Sequence, residues 1–334
     1  MKYNTILSHH LTHSLVLLCF LYLSACVNLG TDIKNRAIGT PGEVLVVMDN
    51  NIQQSQVQKI IQAFANAEFP NLPQSEPTFK LTTVIPKNFE GHFRAYRNII
   101  IIQQSILSKT DVSFQRNVWA LQQQVVDITL SDTNDFADLF KAHEKEIFDF
   151  IYQGDISNIQ NANLKVADAA AQRFIKQKHN LYLVIPPGFR LVKDTANFCW
   201  FRLDRLETDM HLVIQSFDMD SLPAIHNRAL LALLDRVGKE YIPGPYALTF
   251  KQTEKNLPIL FSKISINEQN VTELRGLWRV EGYFMGGPFV TIFIKDDSRN
   301  KLLMLDGFVH AAQNQNKAYY VRQIEAILHS VKIL

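Results

Sequence analysis

The stretch Glu273-Leu274-Arg275-Gly276-Leu277-Trp278-Arg279-Val280-Glu281 decides the fold class, because it has the alternation of a β-strand and lies within a series of such segments. Residues two apart in a strand share one face of the sheet. The stretch therefore predicts one face that carries its charges and an opposite face that carries Trp278. The neighbouring segments of strand length are residues 258–266, 289–295 and 301–309, with a hairpin turn at 297–300. Strands in succession, with helices at the ends, predict an α+β layer fold with an antiparallel sheet.

The chain before this stretch contains further helices and strands. Helical spacing of apolar residues marks residues 52–67, 135–152, 164–178 and 221–241, and a last amphipathic helix is predicted over 318–331. Strand-like runs occur at residues 43–49, 79–85, 98–102, 119–130, 198–203 and 211–217. A chain of 334 residues is long for one hydrophobic core. We therefore expect two α/β layer domains with largely antiparallel sheets, an N-terminal α+β domain at residues 41–178 and a C-terminal α+β domain at residues 179–334.

The N-terminus has the features of a secreted, lipid-anchored protein. Lys2 precedes an apolar run from Leu15 to Leu23, which is followed by Ser24-Ala25-Cys26. A membrane span needs about 20 apolar residues, so this shorter run predicts a signal peptide at residues 1–25. The small-small-Cys ending resembles the lipobox of bacterial lipoproteins, which implies that Cys26 is acylated and becomes the first mature residue. The polar residues that follow, up to Thr40, are predicted to form a tether.

Charge and cysteine content give no support for nucleic-acid binding or for a disulfide in the mature chain. The formal net charge of +2 gives no electrostatic basis for binding nucleic acid. Of the three cysteines, Cys19 leaves with the signal peptide and Cys26 carries lipid, so Cys199 has no disulfide partner. Cys199 lies in an apolar run and is predicted to be a buried small hydrophobe rather than a reactive thiol.

The sequence contains no motif of catalysis or of cofactor binding. His143-Glu144-Lys145-Glu146-Ile147 begins like the helix of a zinc protease but lacks the second His one turn later. There is no P-loop and no nucleophile elbow. Met285-Gly286-Gly287-Pro288 lacks the spacing of a dinucleotide motif and is predicted to be a hairpin connection in which glycine supplies positive φ. We therefore predict no cofactor, no metal site and no catalytic residue.

Charged residues of the quoted stretch, its Trp and two arginines of the first half are the ligand-binding candidates: Glu273, Arg275, Trp278, Arg279, Glu281, Arg94 and Arg97. One interpretation is a solvated strand face with cross-strand ion pairs, each contributing about 0.2–1 kcal/mol. The other is an Arg-rich groove whose guanidinium groups bind an anionic ligand.

Six stretches of the sequence resemble one known family. They are residues 42–49, Arg97-Asn98-Ile99-Ile100, Pro243-Gly244-Pro245, Arg275-Gly276-Leu277-Trp278, Met285-Gly286-Gly287-Pro288-Phe289-Val290 and Gly307-Phe308-Val309. In this order they resemble the Bacteroidetes lipoprotein family catalogued as domain of unknown function 4837. The resemblance covers nearly all of the mature chain, and it implies an envelope lipoprotein without an assigned activity.

A looser resemblance concerns the fold of the C-terminal half. Ile185-Pro186-Pro187-Gly188-Phe189, the later strands, a central helix and a final helix with Ile324 and Ile327 are similar to the Mog1/PsbP-like α/β/α sandwich. This resemblance implies a binding or assembly role more often than catalysis, although a fold alone does not determine function.

Two functions remain open at this point. One is a non-catalytic binding or assembly lipoprotein of the cell envelope, held at the membrane by lipid on Cys26 and contacting a protein or another envelope component. The alternative is a cell-envelope hydrolase whose site is assembled only in the fold. Val27-Asn28-Leu29-Gly30 lacks the acidic run that resembles surface-export signals. This favours the periplasmic face of the outer membrane.

Replacing Cys26 by Ser should move the protein out of the membrane fraction, because the acyl chains that bind the bilayer have no other attachment site. Fractionation together with intact-mass measurement of the mature chain tests this, with Cys199→Ala as the matched control. An unacylated wild-type product, or an unchanged distribution of the Cys26 variant, would contradict the predicted anchor.

Overall fold

A computed structural model describes residues 34–54, 56–311 and 316–334 of the chain. The predicted signal peptide, Cys26 and the first part of the tether lie outside these residues. Residues 36–334 form one compact unit. The predicted division into two domains at residue 178 stays a prediction. Among the described residues, no helix has both the length and the apolar composition needed to cross a membrane.

The first half contains a five-stranded sheet with the order β2-β1-β3-β5-β4. Its strands are β1 (Glu43–Met48), β2 (Lys80–Val84), β3 (Asn98–Gln104), β4 (Asp111–Arg116) and β5 (Gln124–Leu130). The pairs β1–β2, β1–β3 and β3–β5 are parallel, and only β4–β5 is antiparallel among the described strands of this sheet. Val44, Val46 and Met48 on one face of β1 join the helices in a core, whereas Leu45 and Val47 pack on the other face.

Four α-helices belong to this half or follow it: α1 (Asn50–Gln53), α2 (Gln56–Asn66), α3 (Phe136–Lys165) and α4 (Ala169–His179). Short 3₁₀ helices lie at Pro86–Asn88, Gly91–Ala95 and Thr133–Asp135. Helix α3 has 30 residues and is about 45 Å long. Its first turns, with Phe136 and Phe140, pack on the first sheet, and Ile156 and Ile159 near its end join the core of the second. One helix thus connects the two sheets.

The second half contains an eight-stranded antiparallel sheet. In spatial order its strands are β10 (Phe250–Thr253), β12 (Gln269–Glu281), β13 (Tyr283–Asp296), β14 (Lys301–His310), β9 (Asp209–Asp218), β8 (Phe198–Asp204) and β7 (Arg190–Thr195), and β11 (Leu260–Ile266) also pairs with β12. A separate small sheet pairs β6 (Leu181–Tyr182) with β15 (Lys332–Ile333). The remaining helices are α5 (Asn227–Tyr241), α6 (Lys317–Leu328) and a 3₁₀ turn at Met219–Ser221.

The large sheet lies between two helical layers. Helix α5 covers one face, where Leu230 and Leu234 contact the core that includes Trp278 and Phe308. Helix α6, with α4 and the end of α3, covers the other face through residues such as Ile324 and Ile327. The predicted α+β class with mostly antiparallel strands is confirmed, and the parallel pairs of the smaller sheet are the exception.

The tether predicted up to Thr40 is shorter in the structure. Arg36 forms a parallel bridge with Leu121, and Ile38 forms one with Tyr96. Their backbone hydrogen bonds attach the chain to the body from Arg36 onward, because Ala37 N–H donates to Leu121 O at 2.9 Å and Ile38 N–H donates to Ala95 O at 2.8 Å.

Several element boundaries differ from the sequence prediction. Helix α3 runs without a break to Lys165, strand β4 was not predicted, and α5 begins at Asn227 instead of residue 221. The hairpin prediction for residues 285–288 is wrong, since these residues lie inside β13 and the turn is at Gly282 with φ of +78°. Gly286 and Gly287 are needed for space: a Cβ on Gly287 would lie 2.0 Å from the carbonyl oxygen of Val309.

Replacing Tyr152 by Phe should lower the free energy of unfolding by about 1–3 kcal/mol. Tyr152 Oη on α3 donates to Glu325 Oε2 on α6 at 2.6 Å, and its loss leaves a buried carboxylate oxygen without that donor. Urea unfolding measures the effect, and Tyr246→Phe, which removes an exposed hydroxyl, is the matched control. Equal losses in both variants would contradict a hydrogen-bonded contact between the two helices.

Candidate functional site

The predicted ligand-binding residues do not form one site. The alternation within β12 is as predicted: Glu273 and Arg275 face α6, and Trp278 lies in the core beneath α5. Arg279 and Glu281 lie farther along the strand and are about half exposed. These candidates therefore divide among a buried ionic cluster, a core position and a solvated pair.

The buried cluster is centred on Arg275. Its Nε lies 2.7 Å from Glu273 Oε1, and its Nη2 lies 2.8 Å from Glu325 Oε1. His329 Nε2 lies 2.8 Å from Glu273 Oε2, and Tyr152 occupies the second oxygen of Glu325. Because both carboxylates are bonded within the cluster, neither a solvated face nor an open groove for an anion exists here.

Three groups of this cluster have the spacing of a metal site. Ligand atoms of Glu273, Glu325 and His329 lie within 4.8 Å of one another. However, the Arg275 guanidinium already bonds to both carboxylates, and a cation would have to displace that charge. Burial by itself raises the pKa of Glu273, but the His329 hydrogen bond and the charge of Arg275 outweigh it and lower this pKa to about 2. The arrangement is that of an ion-pair network between a strand and a helix.

The other arginine candidates lie in three separate places. Arg279 pairs with Glu281 at a shallow polar depression that also contains Glu254, which fits the solvated interpretation. Arg94 is exposed and lies over the Phe89 ring at 5.8 Å. Arg97 instead reaches into the first half, where Nη1 lies 3.7 Å from Asp155 Oδ1.

Asp155 on α3 is the centre of this second buried cluster. It accepts hydrogen bonds from Gly42 N–H at 2.7 Å and from Asn98 Nδ2 at 3.1 Å. Burial raises the pKa of Asp155, and the hydrogen bonds and the Arg97 charge only partly oppose this shift. The cluster holds α3 against β1 and β3.

A different place in the structure has the geometry of a ligand site. A cavity of about 310 Å³ lies in the second half, between the large sheet and the loop that follows α5. We call it the aromatic cavity, and its lining residues are Trp200, Arg202, Asp209, His211, Ile242, Pro243, Gly244, Pro245, Lys251, Trp278, Val280, Met285 and Phe308. Strands β8, β9, β10, β12, β13 and β14 each supply at least one of them.

The aromatic walls of the cavity are held by specific contacts. Trp278 Nε1 donates to Val309 O at 3.1 Å, which the missing side chain at Gly287 permits. The Trp278 ring meets Phe308 edge-on at 5.1 Å between centroids. The His211 ring stacks nearly parallel on the Phe308 ring, with 4.3 Å between the ring centroids. The rings therefore form one connected and rigid wall.

His211 carries an unused hydrogen-bonding atom. The residue is 4% exposed, its Nδ1 accepts from Trp200 Nε1 at 3.2 Å, and its Nε2 has no partner among the described residues. Burial, and then the nearby charges of Arg202 and Lys251, hold the pKa of His211 well below its ordinary value. The imidazole is therefore neutral at physiological pH.

The charged residues of the lining are paired. Lys251 Nζ lies 2.8 Å from Asp306 Oδ2, and both side chains are almost fully buried. Thr291 Oγ1 donates to the other oxygen of Asp306 at 2.7 Å. Arg202 Nη2 lies 3.0 Å from Asp209 Oδ2. Among the described lining residues, two buried side-chain atoms have no hydrogen-bond partner: His211 Nε2 and Arg202 Nε, the latter in an ion pair with Asp204.

A larger groove of about 940 Å³ lies beside the outer strands but has a different character. Its lining mixes apolar residues with Lys263, Lys295 and Asp297, and Lys263 Nζ bonds to Thr272 Oγ1 at 2.5 Å. A pocket lined by exposed charges is typical of solvated surface, so the more apolar aromatic cavity is the stronger candidate for a small ligand.

Models of known protein families match both halves of the chain, and the aromatic cavity lies in the match to the second half. Residues 168–330 match the family model described as domain of unknown function (DUF4837), and residues 37–163 match a second domain of unknown function (DUF8532). We call residues 168–330 the DUF4837 domain, after the family model that they match. Every lining residue of the aromatic cavity lies within it. No curated protein matches the chain.

Among solved structures, the similarity is low. The Saccharomyces cerevisiae Ran-binding protein Mog1p is 10% identical, with 46% of this chain and 90% of that chain covered and a TM-score of 0.30. LpqN of Mycobacterium tuberculosis, described as involved in cell envelope biogenesis, is 12% identical, with 46% and 82% covered and a TM-score of 0.27. At such TM-scores the similarity supports no statement about binding or catalysis.

The predicted resemblance over nearly all of the mature chain is too broad: residues 42–49 and 97–100 lie in the DUF8532 match, and the other four stretches lie in the DUF4837 match. In the structure the six stretches meet at three places. Residues 42 and 97–98 surround Asp155, and Arg275 is the centre of the ionic cluster. Pro243-Gly244-Pro245, Trp278, Met285 and Phe308 line the aromatic cavity. Two of these places join the elements of the fold, and the third contains an open volume.

Sequence reasoning identified Trp278 but missed Trp200, His211 and Lys251. A signal for His211 existed in strand parity: His211 and Gln215 share one face of β9 with Val213 and Phe217, so polar residues occur among core-facing apolar ones. Such a residue marks a buried polar group that needs a partner.

Cys199 has a polar partner inside the DUF4837 domain, as the sequence did not predict. Its Sγ lies 3.3 Å from His179 Nε2, and His179 Nδ1 lies 3.0 Å from Ser216 Oγ. Cys199 is buried, as predicted. Burial raises the pKa of Cys199 to about 12 and lowers that of His179 to about 4, so the pair is neutral.

Acid should weaken the wild-type fold partly through Glu273. Its pKa in the folded chain, about 2, lies below its ordinary value of 4.5, so its ionised form contributes stability that is complete above pH 4.5. That contribution, on the order of 3 kcal/mol, is lost as the pH falls from 4.5 towards 2.

Urea unfolding of the wild type and of Glu273→Gln at a series of pH values tests this. The difference in unfolding free energy should be largest near neutral pH and shrink towards pH 2, whereas Glu281→Gln, at the solvated pair, should change little at any pH. A pH-independent difference for Glu273→Gln would contradict the assignment.

Proposed function

We propose that the chain is a non-catalytic binding protein of the cell envelope, anchored by lipid on Cys26, and that its DUF4837 domain holds a small ligand in the aromatic cavity. The observation that carries this proposal is a partly open volume walled by Trp200, Trp278 and Phe308, whose lining includes His211, a buried residue with an unpartnered Nε2. The signal peptide and the Cys26 motif support the location.

Size and lining both support a binding role. A volume of about 310 Å³ is at the lower end of ligand pockets in proteins, so the ligand is small. Ligand pockets are mainly apolar and aromatic, with a few polar groups that fix orientation. Unfilled apolar volume and an unsatisfied donor both cost free energy. A ligand that filled the cavity and took the hydrogen bond would offset both costs.

The composition of the lining favours binding over catalysis. The lining residues found in the described part of the chain include no Ser, Thr or Cys that could act as a nucleophile. Lys251 is bonded to Asp306, and Asp209 to Arg202, so these groups are engaged in ion pairs. Hydrolysis needs a nucleophile and a base within hydrogen-bond reach, facing the substrate.

The Cys199–His179 pair gives the hydrolase alternative little support. A cysteine nucleophile reacts as the thiolate, beside a base that accepts its proton. Here the pKa of Cys199 is raised to about 12 and that of His179 lowered to about 4, which favours the neutral thiol and neutral imidazole. Both side chains are buried, and neither lines the aromatic cavity.

The anchor limits how far the binding domain reaches. The chain is attached to the folded body from Arg36, so residues 26–36 form the connection to the lipid. About ten residues extend at most roughly 36 Å. The absence of an acidic run after Cys26 favours a body on the periplasmic side of the outer membrane, where a protein or envelope component would deliver or receive the ligand.

Replacing Met285 by Trp should remove ligand binding, because the larger side chain fills the cavity from a half-buried position. The matched control is Phe284→Trp, which adds an indole one residue away at a fully exposed position. The intact chain is purified from its native envelope, extracted with organic solvent and examined by mass spectrometry for small molecules. A molecule present in the wild type and control but absent from Met285→Trp is the expected result. The same extract from all three proteins would contradict the proposal.

A further inference from the structure

We propose that the ligand of the aromatic cavity is an uncharged, flat, largely apolar molecule with a carbonyl oxygen that accepts a hydrogen bond from His211 Nε2–H. This inference rests on the proposed function, since it names the class of ligand for the same cavity. It follows from three observations: the tautomer of His211, the pairing of the surrounding charges and the shape of the walls.

The tautomer is set by Trp200. An indole N–H can only donate, and Trp200 Nε1 lies 3.2 Å from His211 Nδ1, so Nδ1 is the acceptor. A neutral imidazole carries one proton, which must then reside on Nε2. Nε2–H is therefore a donor, and none of the described residues accepts from it. A ligand that satisfies it must present an acceptor atom.

The surrounding charges favour an uncharged acceptor. The two cations of the lining, Arg202 and Lys251, are neutralised by Asp209 and Asp306. The imidazole itself is neutral, so no unpaired positive charge is available for a carboxylate. Moving an anion into this apolar space would cost desolvation free energy that no cation offsets. A carbonyl oxygen accepts the same hydrogen bond at a smaller desolvation cost.

The walls favour a flat apolar body. Trp200, Trp278 and Phe308 contribute aromatic surface, and His211 is stacked on Phe308 so that it cannot turn without breaking that contact. Aromatic pairs contribute about 0.5–1.5 kcal/mol beyond the area they bury. In the free protein His211 Nε2 is buried and has no hydrogen-bond partner among the described residues, so the donor stays unsatisfied until a ligand oxygen reaches it.

The test compares acetophenone with ethylbenzene, which has nearly the same shape but no acceptor. Dissociation constants are measured by titration calorimetry on the intact chain in lipid nanodiscs. The two probes differ in how strongly water solvates them, so a single dissociation constant does not isolate the hydrogen bond. The ratio of the two dissociation constants is therefore measured for the wild type and for His211→Phe, and the two ratios are compared. We expect this ratio to shift by about tenfold against acetophenone in the variant, the loss of one hydrogen bond to a buried donor.

Two further variants separate the hydrogen bond from packing. His211→Gln keeps an N–H donor and should restore part of the preference for acetophenone. Trp200→Phe removes the group that fixes the tautomer, so Nε2 can lose its proton and the preference should fall although His211 is present. Trp200 is in this sense a positioning residue. A preference unchanged in both His211→Phe and Trp200→Phe would overturn the role of Nε2–H.

Benzoate tests the neutrality of the ligand, since it resembles acetophenone in shape and carries a negative charge. We expect it to bind at least tenfold more weakly than acetophenone, and tighter binding of benzoate would overturn the uncharged class. Binding of acetophenone and ethylbenzene with no effect of His211→Phe would overturn this inference and leave the cavity a binding site. Binding unaffected by Met285→Trp would instead overturn the proposed function itself.

Discussion

The ion pairs of Arg275 are the constraint on which the second half of the molecule depends. They join β12 to α6 through Glu325, and Tyr152 extends the contact to α3. A buried guanidinium is costly unless its partners are placed well, so the register of β12 against α6 allows little displacement. Residues of one strand parity then contact the helices, and residues of the other parity face the core beneath α5. Trp278 takes its place in the wall of the aromatic cavity as a consequence of that register.

The cavity exists because aromatic rings and close backbone approaches meet on the α5 side of the sheet. The absence of a side chain at Gly287 lets the Trp278 indole reach Val309 O. Gly244 lets the loop after α5 approach β12, because a Cβ on Gly244 would lie only 2.6 Å from Val280 Cγ1. Rings held in this way cannot collapse into the remaining space as aliphatic side chains could. The walls therefore favour a flat apolar ligand, and the His211 donor adds the need for an acceptor atom.

The sequence predicted the α+β class, the faces of β12 and the burial of Cys199, because these depend on local alternation and composition. It failed where contacts between distant segments decide. Residues 153–163 contain Gly154, Asp155 and Asn158, which break helical apolar spacing. They are nevertheless buried in α3, because Gln124 of β5 packs on Gly154 and Gly42, just before β1, bonds to Asp155. The cavity was missed for the same reason: His211 and Lys251 are far apart in sequence, and no local pattern shows that they line one space.

The polar groups beneath the cavity argue for a role beyond stability. A buried Lys251–Asp306 pair costs desolvation that apolar residues of similar volume would avoid, and such replacements are often neutral or stabilising. The unpartnered His211 N–H adds a further cost of about 1–3 kcal/mol if no water or ligand takes its bond. A core under selection for stability alone would be expected to lose both. His211 and Lys251 line one partly open aromatic volume, which is the arrangement expected when the missing partner is a ligand. Because Asp306 neutralises Lys251, this part of the lining is polar but does not attract an anion.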